Sequence, residues 1–232
     1  MISAIILSAG KGLRMGVDTP KQYLELKGHP LIYYPLKTFQ ESFVDKIVLV
    51  CAKEYIDYCK KLVKDCGFSK VCNVISGGKE RYHSVYNGLK ELEGSDYVFI
   101  HDGARAFVDD GVLNRCLEDV KKYEACVASV KVKDTIKVGK DGFVESTPDR
   151  RFLYSVQTPQ TFSYPLIKGA YDKLIETEDE LIKKGVSITD DTFVLELFSD
   201  KRVYLSEGSY KNIKVTTPED LLSGEIFIKD EN

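Results

Sequence analysis

Residues 7–15, LSAGKGLRM, follow a short apolar run and combine two glycines with two cations. Glycines such as Gly10 and Gly12 let the backbone approach a ligand closely, and N–H groups that converge on one point attract an anion. Arg14 and Lys21, the latter in TPKQYLEL, add two positive charges close to the same strand end. A triphosphate carries several negative charges and needs several such partners. The stretch therefore predicts a loop that binds phosphates.

Two better-known phosphate loops do not fit these residues. A P-loop would end in Gly-Lys-Ser or Gly-Lys-Thr, which is missing here, and a dinucleotide-binding GxGxxG loop would need glycine where Met15 stands. The remaining alternative on these residues alone is a solvated loop whose basic side chains are incidental.

Composition narrows the classes of function. The 232 residues carry a formal net charge of −3, so no global positive field attracts a nucleic acid. None of the six cysteines forms a CxxC pair, and several lie in apolar runs, which is typical of reduced structural thiols. No segment has the length or apolar character of a membrane span or an export signal. We expect a cytoplasmic protein with no membrane or nucleic-acid partner.

Short runs rich in Val and Ile alternate with longer amphipathic stretches over the first 132 residues. The strand candidates are 4–7, 46–52, 70–75, 97–102 and 126–132, and the helix candidates are 55–67, 81–94 and 112–124. Alternating strands and helices predict an α/β fold: a Rossmann-like, mostly parallel sheet with helices on both faces. Such sheets carry ligand-binding loops at the C-terminal ends of their strands.

The pattern changes near residue 133. Two short alternating runs flank the turn Gly139-Lys140-Asp141-Gly142, and polar residues with two prolines follow, which predicts a β-arm over about 133–158 projecting from one domain of residues 1–232. The arm is a candidate dimer contact, with a plain surface flap as the alternative. Three further helices are expected: one over about 164–178, one after SITDD and one from Pro218 onward. Thr189 or Asp190 would cap the second of them. Pro35 should delay or kink the helix predicted by the pattern at 30–39.

Several motifs in order identify a resemblance. LSAGKGLRM and PKQ resemble the signature of sugar-nucleotide and alditol-phosphate nucleotidyltransferases. GGKERYHSV (77–85), HDGAR (101–105), TPDR (147–150), QTPQTF (157–162), ITDD (188–191) and NIKVTTPEDL (212–221) are similar, in the same order, to 2-C-methyl-D-erythritol 4-phosphate cytidylyltransferases. Together these segments span nearly the whole chain. The resemblance implies a fold of the nucleotide-diphospho-sugar transferase type.

The family's reaction joins CTP to a polyol phosphate and releases pyrophosphate. The resemblance implies that Arg14, Lys21 and Lys214 stabilise charge in that reaction. It gives the nucleotide the residues Ala9, Gly10, Gly12, Gly78, Ser84, Asp102 and Gly103. Ser84 lies on an amphipathic helix, so the alternative interpretation is a simple exposed serine.

For the acceptor, the resemblance implies contacts from Asp102, Arg105, Thr135, Arg150, Thr189 and Thr216, with Thr135 and Arg150 reaching across a homodimer. Mg²⁺ or another hard divalent cation would lie mainly on the CTP phosphates, with Asp102 as a possible ligand. His101 is interpreted as structural because the chemistry needs no base, while His29 and His83 are interpreted as surface residues. Whether Arg150 or the adjacent Arg151 reaches the acceptor stays open.

Two positions depart from the family pattern. Ala106 follows HDGAR where proline is common, which leaves the Arg105 loop freer, and Lys79 stands where some members carry an acid. Ribitol-5-phosphate cytidylyltransferase is the nearest rival, but it typically reads HDAVRPF and lacks TPDR. A catalytically inactive CTP-binding regulator and a ligand-free dimerisation module are the rivals from other classes. The cations Arg14, Lys21 and Lys214 argue against both.

Overall fold

The computed structural model describes residues 1–10 and 19–227. Within these ranges the strands are β1 (Ile2–Ser8), β2 (Glu25–Leu26), β3 (His29–Pro30), β4 (Lys46–Cys51), β5 (Val71–Ser76), β6 (Tyr97–Asp102), β7 (Ala125–Lys131), β8 (Val138–Lys140), β9 (Phe143–Ser146), β10 (Tyr154–Ser163) and β11 (Tyr204–Glu207). The helices are α1 (Tyr33–Glu41), α2 (Ile56–Asp65), α3 (Arg81–Lys90), α4 (Asp110–Tyr123), α5 (Tyr164–Lys183), α6 (Asp191–Phe198) and α7 (Pro218–Phe227). No helix in the described ranges is long and apolar enough to span a membrane.

Seven strands form the central sheet in the order β11-β7-β10-β6-β1-β4-β5. β1 pairs in parallel with β4 and β6, β4 with β5, and β7 with β11. The predicted mostly parallel sheet is confirmed, with one exception inside it. β10 runs antiparallel between β6 and β7, where the sequence predicted only the return from the arm.

Side chains alternate between two apolar cores on the two sheet faces, as the pleat of a strand requires. On β4, Ile47 and Leu49 pack on the side of α1, α2 and α4, whereas Val48 and Val50 pack on the side of α3, α5 and α6. Helices therefore cover both faces, as predicted. Because both faces are covered, the strands read as nearly continuous apolar runs, which is typical of parallel sheets.

Helix boundaries follow local capping chemistry. Pro35 lies in the first turn of α1, where its missing N–H costs nothing, so the helix starts late instead of kinking. Of the two predicted caps of α6, Asp190 is the one whose side chain accepts a hydrogen bond, from the N–H of Phe193. α5 runs five residues beyond its predicted end, and α3 ends four residues before its own.

The predicted arm contains the hairpin β8–β9, which forms a two-stranded sheet of its own. Asp141 and Gly142 both have positive φ, as a two-residue hairpin turn demands. Phe143 and Val144 on this hairpin are 78% and 63% exposed. The arm thus presents apolar side chains that nothing in the described chain covers.

The order of the strands fixes where a ligand can bind. From β1 the chain moves outward to β4 and β5, and then returns to place β6 on the other side of β1. A crevice opens at the C-terminal ends of two strands at such a reversal. Gly103 donates its N–H to Leu7 O at 2.8 Å and ties the two strand ends together.

Gly103 has no room for a side chain. A Cβ at this position would lie 2.4 Å from Ile32 Cδ1 and 2.8 Å from Leu7 O, whereas a Cβ on Gly169 of α5 would meet no described atom within 4 Å. We expect Gly103→Ala to lower the free energy of unfolding by about 1–3 kcal/mol through overpacking. Gly169→Ala should raise the same quantity by up to about 1 kcal/mol through helix propensity. Urea unfolding of both variants measures these two changes. Equal changes in the free energy of unfolding would contradict the prediction.

Candidate active site

A cleft of about 470 Å³ opens at the C-terminal ends of β1 and β6. Four described cations and two carboxylates line it, together with small and apolar residues. The lining residues are Leu7, Ala9, Gly10, Lys21, Gln22, Gly78, Lys79, Glu80, Arg81, Ser84, Asp102, Ala104 and Lys214. The sequence predicted seven of these as site residues, from five separate motifs, and the fold brings them to one place.

The segment after β1 is held by Gln22. Its buried side-chain amide donates to Ser8 O at 2.6 Å and to Gly10 O at 2.7 Å. Lys21 precedes it in a short 3-10 helix and lies at the same edge of the cleft. Gly12 and Arg14, both predicted to bind the nucleotide phosphates, lie outside the described residues.

A second wall of the cleft is the N-terminus of α3. Glu80 and His83 form a capping box: the Glu80 side chain accepts from a backbone N–H, and His83 Nδ1 accepts from Glu80 N at 3.2 Å. Ser84 Oγ accepts from Gly78 N at 3.0 Å and fixes the preceding glycine turn. The N-terminus of a helix carries a partial positive charge, which favours an anionic or polar ligand.

The structure rules out the alternative for Ser84 and gives His83 a polar partner. Ser84 is 4% exposed, so the alternative of a solvated serine fails: the side chain faces the glycine turn at the rim of the cleft. His83 was expected to be a surface residue, but it is half-buried, and its Nε2 lies 3.1 Å from Glu178 Oε2. Glu178 also accepts from Tyr82, so α5 holds the start of α3 through two polar contacts.

Asp102 is the electrostatic centre of the cleft. Lys214 Nζ donates to its Oδ2 at 2.6 Å, and Arg81 Nε lies 3.4 Å from its Oδ1. Burial alone raises the pKa of this carboxyl, but the charges of Arg81 and Lys214 outweigh burial and hold the pKa well below its ordinary value. Asp102 is therefore ionised at any pH near neutrality.

Lys214 reaches the cleft by tertiary pairing of its segment. Val215 N donates to Ala104 O at 2.9 Å, and the Asn212 side chain donates to Thr158 O at 2.8 Å. These bonds lay residues 212–215 beside the loop that follows β6. Thr216 donates to Asp220 through both its N–H and its hydroxyl and does not line the cleft, so its predicted contact with the acceptor stays a prediction.

Arg105 is tied to backbone rather than exposed in the cleft. Its Nη1 donates to Asn212 O at 2.8 Å and its Nη2 to Val156 O at 3.3 Å. The adjacent Ala106 is 4% exposed and packs with Leu31 and Val215, so the loop is anchored although proline is absent there. The predicted contact of Arg105 with the acceptor phosphate stays a prediction.

His101 is fully buried, with a hydrogen bond at each ring nitrogen. Arg105 O can only accept, so His101 Nε2 carries the proton and donates to it. In the neutral ring Nδ1 then accepts from the Thr158 hydroxyl, whose oxygen also accepts from Asp102 N. Burial lowers the pKa of His101 to about 4, which keeps the imidazole neutral. This geometry suits the structural role predicted for His101.

The other residues predicted to contact the acceptor do not line this cleft. Thr135 and Arg150 are exposed on the arm, where Arg150 Nη1 donates to Lys133 O at 2.9 Å. Arg151 is instead paired with Asp149. Thr189 is exposed directly before the cap of α6.

The described residues contain no group of three or more His, Cys, Asp or Glu side chains that could hold a metal. Asp102 is the one predicted ligand, and both of its oxygens face cations. A metal site whose ligands all come from protein side chains does not fit this arrangement. Mg²⁺ held mostly by substrate phosphates, with one carboxylate nearby, does fit, because Mg²⁺ commonly binds through one or two carboxylates plus phosphates.

Among the residues that the sequence interpretation missed, three order the cleft through hydrogen bonds: Gln22, Arg81 and Asp191. Arg81 and Asp191 form an ion pair across 110 residues, and Gln22 orders the end of β1. Each lies inside a motif that was singled out, GGKERYHSV, ITDD or PKQ. Their spacing along the chain carries no signal that they would meet or face the strand ends.

Comparison with known proteins agrees with these motifs. The profile of the 2-C-methyl-D-erythritol 4-phosphate cytidylyltransferase family matches residues 2–230. The chain is 48% identical over 229 residues to the protein of that name from Clostridium kluyveri, with 97% of this chain and 96% of the relative covered. It is 42% identical over 231 residues to the one from Lachnoclostridium phytofermentans, with 99% and 97% covered.

Solved structures give the same result for the fold. The 4-diphosphocytidyl-2C-methyl-D-erythritol synthase of Anaerococcus prevotii superposes with a TM-score of 0.84 at 32% identity, over 98% of this chain and 95% of that chain. The cytidylyltransferase of Thermus thermophilus superposes with a TM-score of 0.76 at 25% identity, over 97% and 98%. The chain therefore belongs to the 2-C-methyl-D-erythritol 4-phosphate cytidylyltransferase family and is a nucleotidyltransferase of isoprenoid biosynthesis.

Proposed function

We propose that the cleft at the ends of β1 and β6 binds CTP and 2-C-methyl-D-erythritol 4-phosphate and transfers CMP to the acceptor's phosphate. An acceptor phosphate oxygen attacks the α-phosphorus of CTP, the bond from that phosphorus to the bridging oxygen breaks, and pyrophosphate leaves. The observation that carries the proposal is the meeting of Lys21, Arg81 and Lys214 with the ionised Asp102 in one cleft.

This chemistry asks little of a general base. The second pKa of a phosphomonoester is about 6, so the acceptor is mostly dianionic at neutral pH and has no proton to lose. The barrier lies in bringing two anions together and stabilising the charge of the transition state. Lys21 and Lys214 are suited to that task, and we assign Arg14 to the same role from the sequence. The neutral, enclosed His101 fits a reaction without a histidine base.

In this proposal CTP binds between the end of β1 and the N-terminus of α3. Ala9 and Gly10 line the cleft at the end of β1, and Gly78 and Ser84 form the opposite rim. Gly103 is assigned to the nucleotide from the sequence; it ties the ends of β6 and β1 together but does not itself line the cleft. Gly12 completes this assignment from the sequence. When bound, Mg²⁺ would neutralise charge on the CTP phosphates, and Asp102 is the carboxylate placed to hold it.

The acceptor is assigned to Asp102, Arg105, Thr189 and Thr216 of one protomer and to the arm of a second copy. Thr135 and Arg150 are exposed on the arm and do not line the cleft of their own chain, which supports a role across a homodimer. Phe143, Val144 and Phe152 on the arm are between 63% and 78% exposed, and a second protomer would bury them.

We further assign the protein to the cytoplasm, as one nucleotidyltransferase domain of residues 1–232. Its six cysteines are all free, and four of them are buried. Free thiols in this number suit a reducing compartment.

The choice of acceptor tests the function directly. We expect pyrophosphate release with CTP, Mg²⁺ and 2-C-methyl-D-erythritol 4-phosphate, and none above background with D-ribitol 5-phosphate. Turnover with ribitol phosphate alone would move the protein to the rival cytidylyltransferase. Silence with both acceptors despite CTP binding would favour the regulatory alternative.

Removing Lys214 tests the assigned cations. Lys214 is 40% exposed but Asp102 is only 13% exposed, so removing the lysine also leaves a largely buried carboxylate with Arg81 as its remaining close cation. The free energy of unfolding is therefore measured for each variant, and kcat is compared under conditions where each is folded. We expect Lys214→Ala to lower kcat by about 100-fold or more, because a charge that stabilises the transition state is lost. Lys211→Ala, an exposed lysine of the same segment outside the cleft lining, is the matched control. Equal kcat values for the two variants would contradict the assignment.

The arm is tested through its most exposed aromatic side chain. Phe143→Glu places a charge on the apolar surface that a second protomer would cover, so we expect sedimentation velocity to show a monomer where the unchanged protein is a dimer. Ile226→Glu on α7 alters a side chain that is 82% exposed and should leave the dimer intact. A dimer that survives Phe143→Glu would refute the arm as the contact.

A further inference from the structure

Arg81 is held at the cleft by a carboxylate that the cleft itself does not contain. Its Nη1 and Nη2 donate to the two oxygens of Asp191, both at 2.8 Å. The Asp191 side chain is 0% exposed, and it lies behind the guanidinium at the first residue of α6. A two-point contact of this kind fixes both the position and the plane of an arginine side chain.

Asp191 is in turn fixed by two further elements. Tyr171 of α5 donates its hydroxyl to Asp191 Oδ1 at 2.6 Å, and Gln160 of β10 accepts from the Asp191 N–H at 2.9 Å. Gln160 also accepts from Thr192 N and donates to Asp190, so it holds the whole start of α6. A fully buried carboxylate is costly unless such partners compensate its lost hydration.

The ion pair between Arg81 and Asp191 limits the contact that Arg81 makes with Asp102. With both Nη groups occupied, Arg81 turns only its Nε toward Asp102, at 3.4 Å, while Lys214 makes the close contact at 2.6 Å. Burial lowers the pKa of Arg81, but Asp191 and Asp102 outweigh it, so the guanidinium stays charged. Without Asp191, an uncompensated guanidinium would lie beside Asp102 and compete with Lys214 for its oxygens.

We propose that Asp191 is a positioning residue for the cleft: by holding Arg81 in a two-point contact, it leaves the Asp102 carboxylate to Lys214. The same carboxylate joins α6, and with it the segment that carries Thr189, to the charged centre of the cleft. This inference rests on the proposed function for its catalytic meaning, although its structural claim can be tested without substrates.

Two variants of the ion pair predict opposite changes at Lys214. Asp191→Asn removes the charge that holds Arg81, so Arg81 moves onto Asp102 and Lys214 is released. Arg81→Lys keeps a cation for Asp191 but loses the fork that also reaches Asp102, so Asp102 depends more on Lys214. Labelling of Lys214 by an amine-acylating reagent, followed by mass spectrometry of the unliganded protein, should be about twofold or more faster in Asp191→Asn and slower in Arg81→Lys.

Hydroxyl deletions on α5 supply a graded test and a matched control. Tyr171→Phe removes one hydrogen bond to Asp191 but leaves its charge, so labelling of Lys214 should rise less than in Asp191→Asn. Tyr164→Phe removes a buried hydroxyl about two helical turns from Tyr171 on α5, which donates to Leu89 O at 2.9 Å and makes no bond to the ion pair, so it should leave the rate unchanged. If Asp191→Asn fails to fold, the contrast between Tyr171→Phe, Tyr164→Phe and Arg81→Lys still decides.

Steady-state kinetics test whether the contact between Asp191 and Arg81 affects the reaction. We expect Asp191→Asn to lower kcat by about tenfold or more with a smaller change in the KM for CTP, because the misplaced charges act mainly on the transition state. Folded Asp191→Asn and Arg81→Lys proteins that label Lys214 at the original rate, or that change it in the same direction, would overturn the inference. A protein that shows the labelling pattern but no cytidylyl transfer would overturn the proposed function and leave the inference standing.

Discussion

The charged network around the cleft depends on one carboxylate, Asp102, which is ionised although it is only 13% exposed. Asp102 ends β6, where the sheet reverses its order, and removal from water would favour its neutral form. Lys214 and Arg81 reverse that preference, and Arg81 itself requires Asp191 because a guanidinium at 32% exposure beside one carboxylate is only partly compensated. One acidic group at a strand end thus brings two cations and a second, fully buried acid into a single connected network.

The backbone framework under this network is equally specific. Gly103 N to Leu7 O joins β6 to β1, Gly77 N to Cys51 O joins the α3 turn to β4, and Val215 N to Ala104 O lays the Lys214 segment alongside. Each bond satisfies a polar group that the end of a strand or a loop would otherwise leave unpaired in a partly buried place. The charged side chains are therefore carried by segments that backbone hydrogen bonds tie to the strand ends, which suits electrostatic preorganisation.

β10 connects the cleft to the arm. It begins at the arm, runs antiparallel between β6 and β7, and carries Thr158 and Gln160, which order the end of β6 and the start of α6. Arg105 adds a further tie, since it donates to Val156 O at the base of the arm. A displacement of the arm would consequently reach the cleft through Thr158 and through Arg105.

The sequence by itself determined the alternation of β1, β4, β5, β6 and β7 with helices, because buried parallel strands must be apolar on both faces and amphipathic helices must cover them. It also determined the hairpin at Asp141-Gly142 and the motifs whose residues line the cleft, since turn geometry and phosphate chemistry restrict residue types locally. Tertiary structure decided the rest. β10, with its glutamines, threonines and proline, has no apolar alternation and becomes a strand through its two neighbours. Ser84 is buried by the glycine turn, and Arg81 meets Asp191 across 110 residues. Such contacts depend on which helices pack side by side, and no local pattern of residues encodes that.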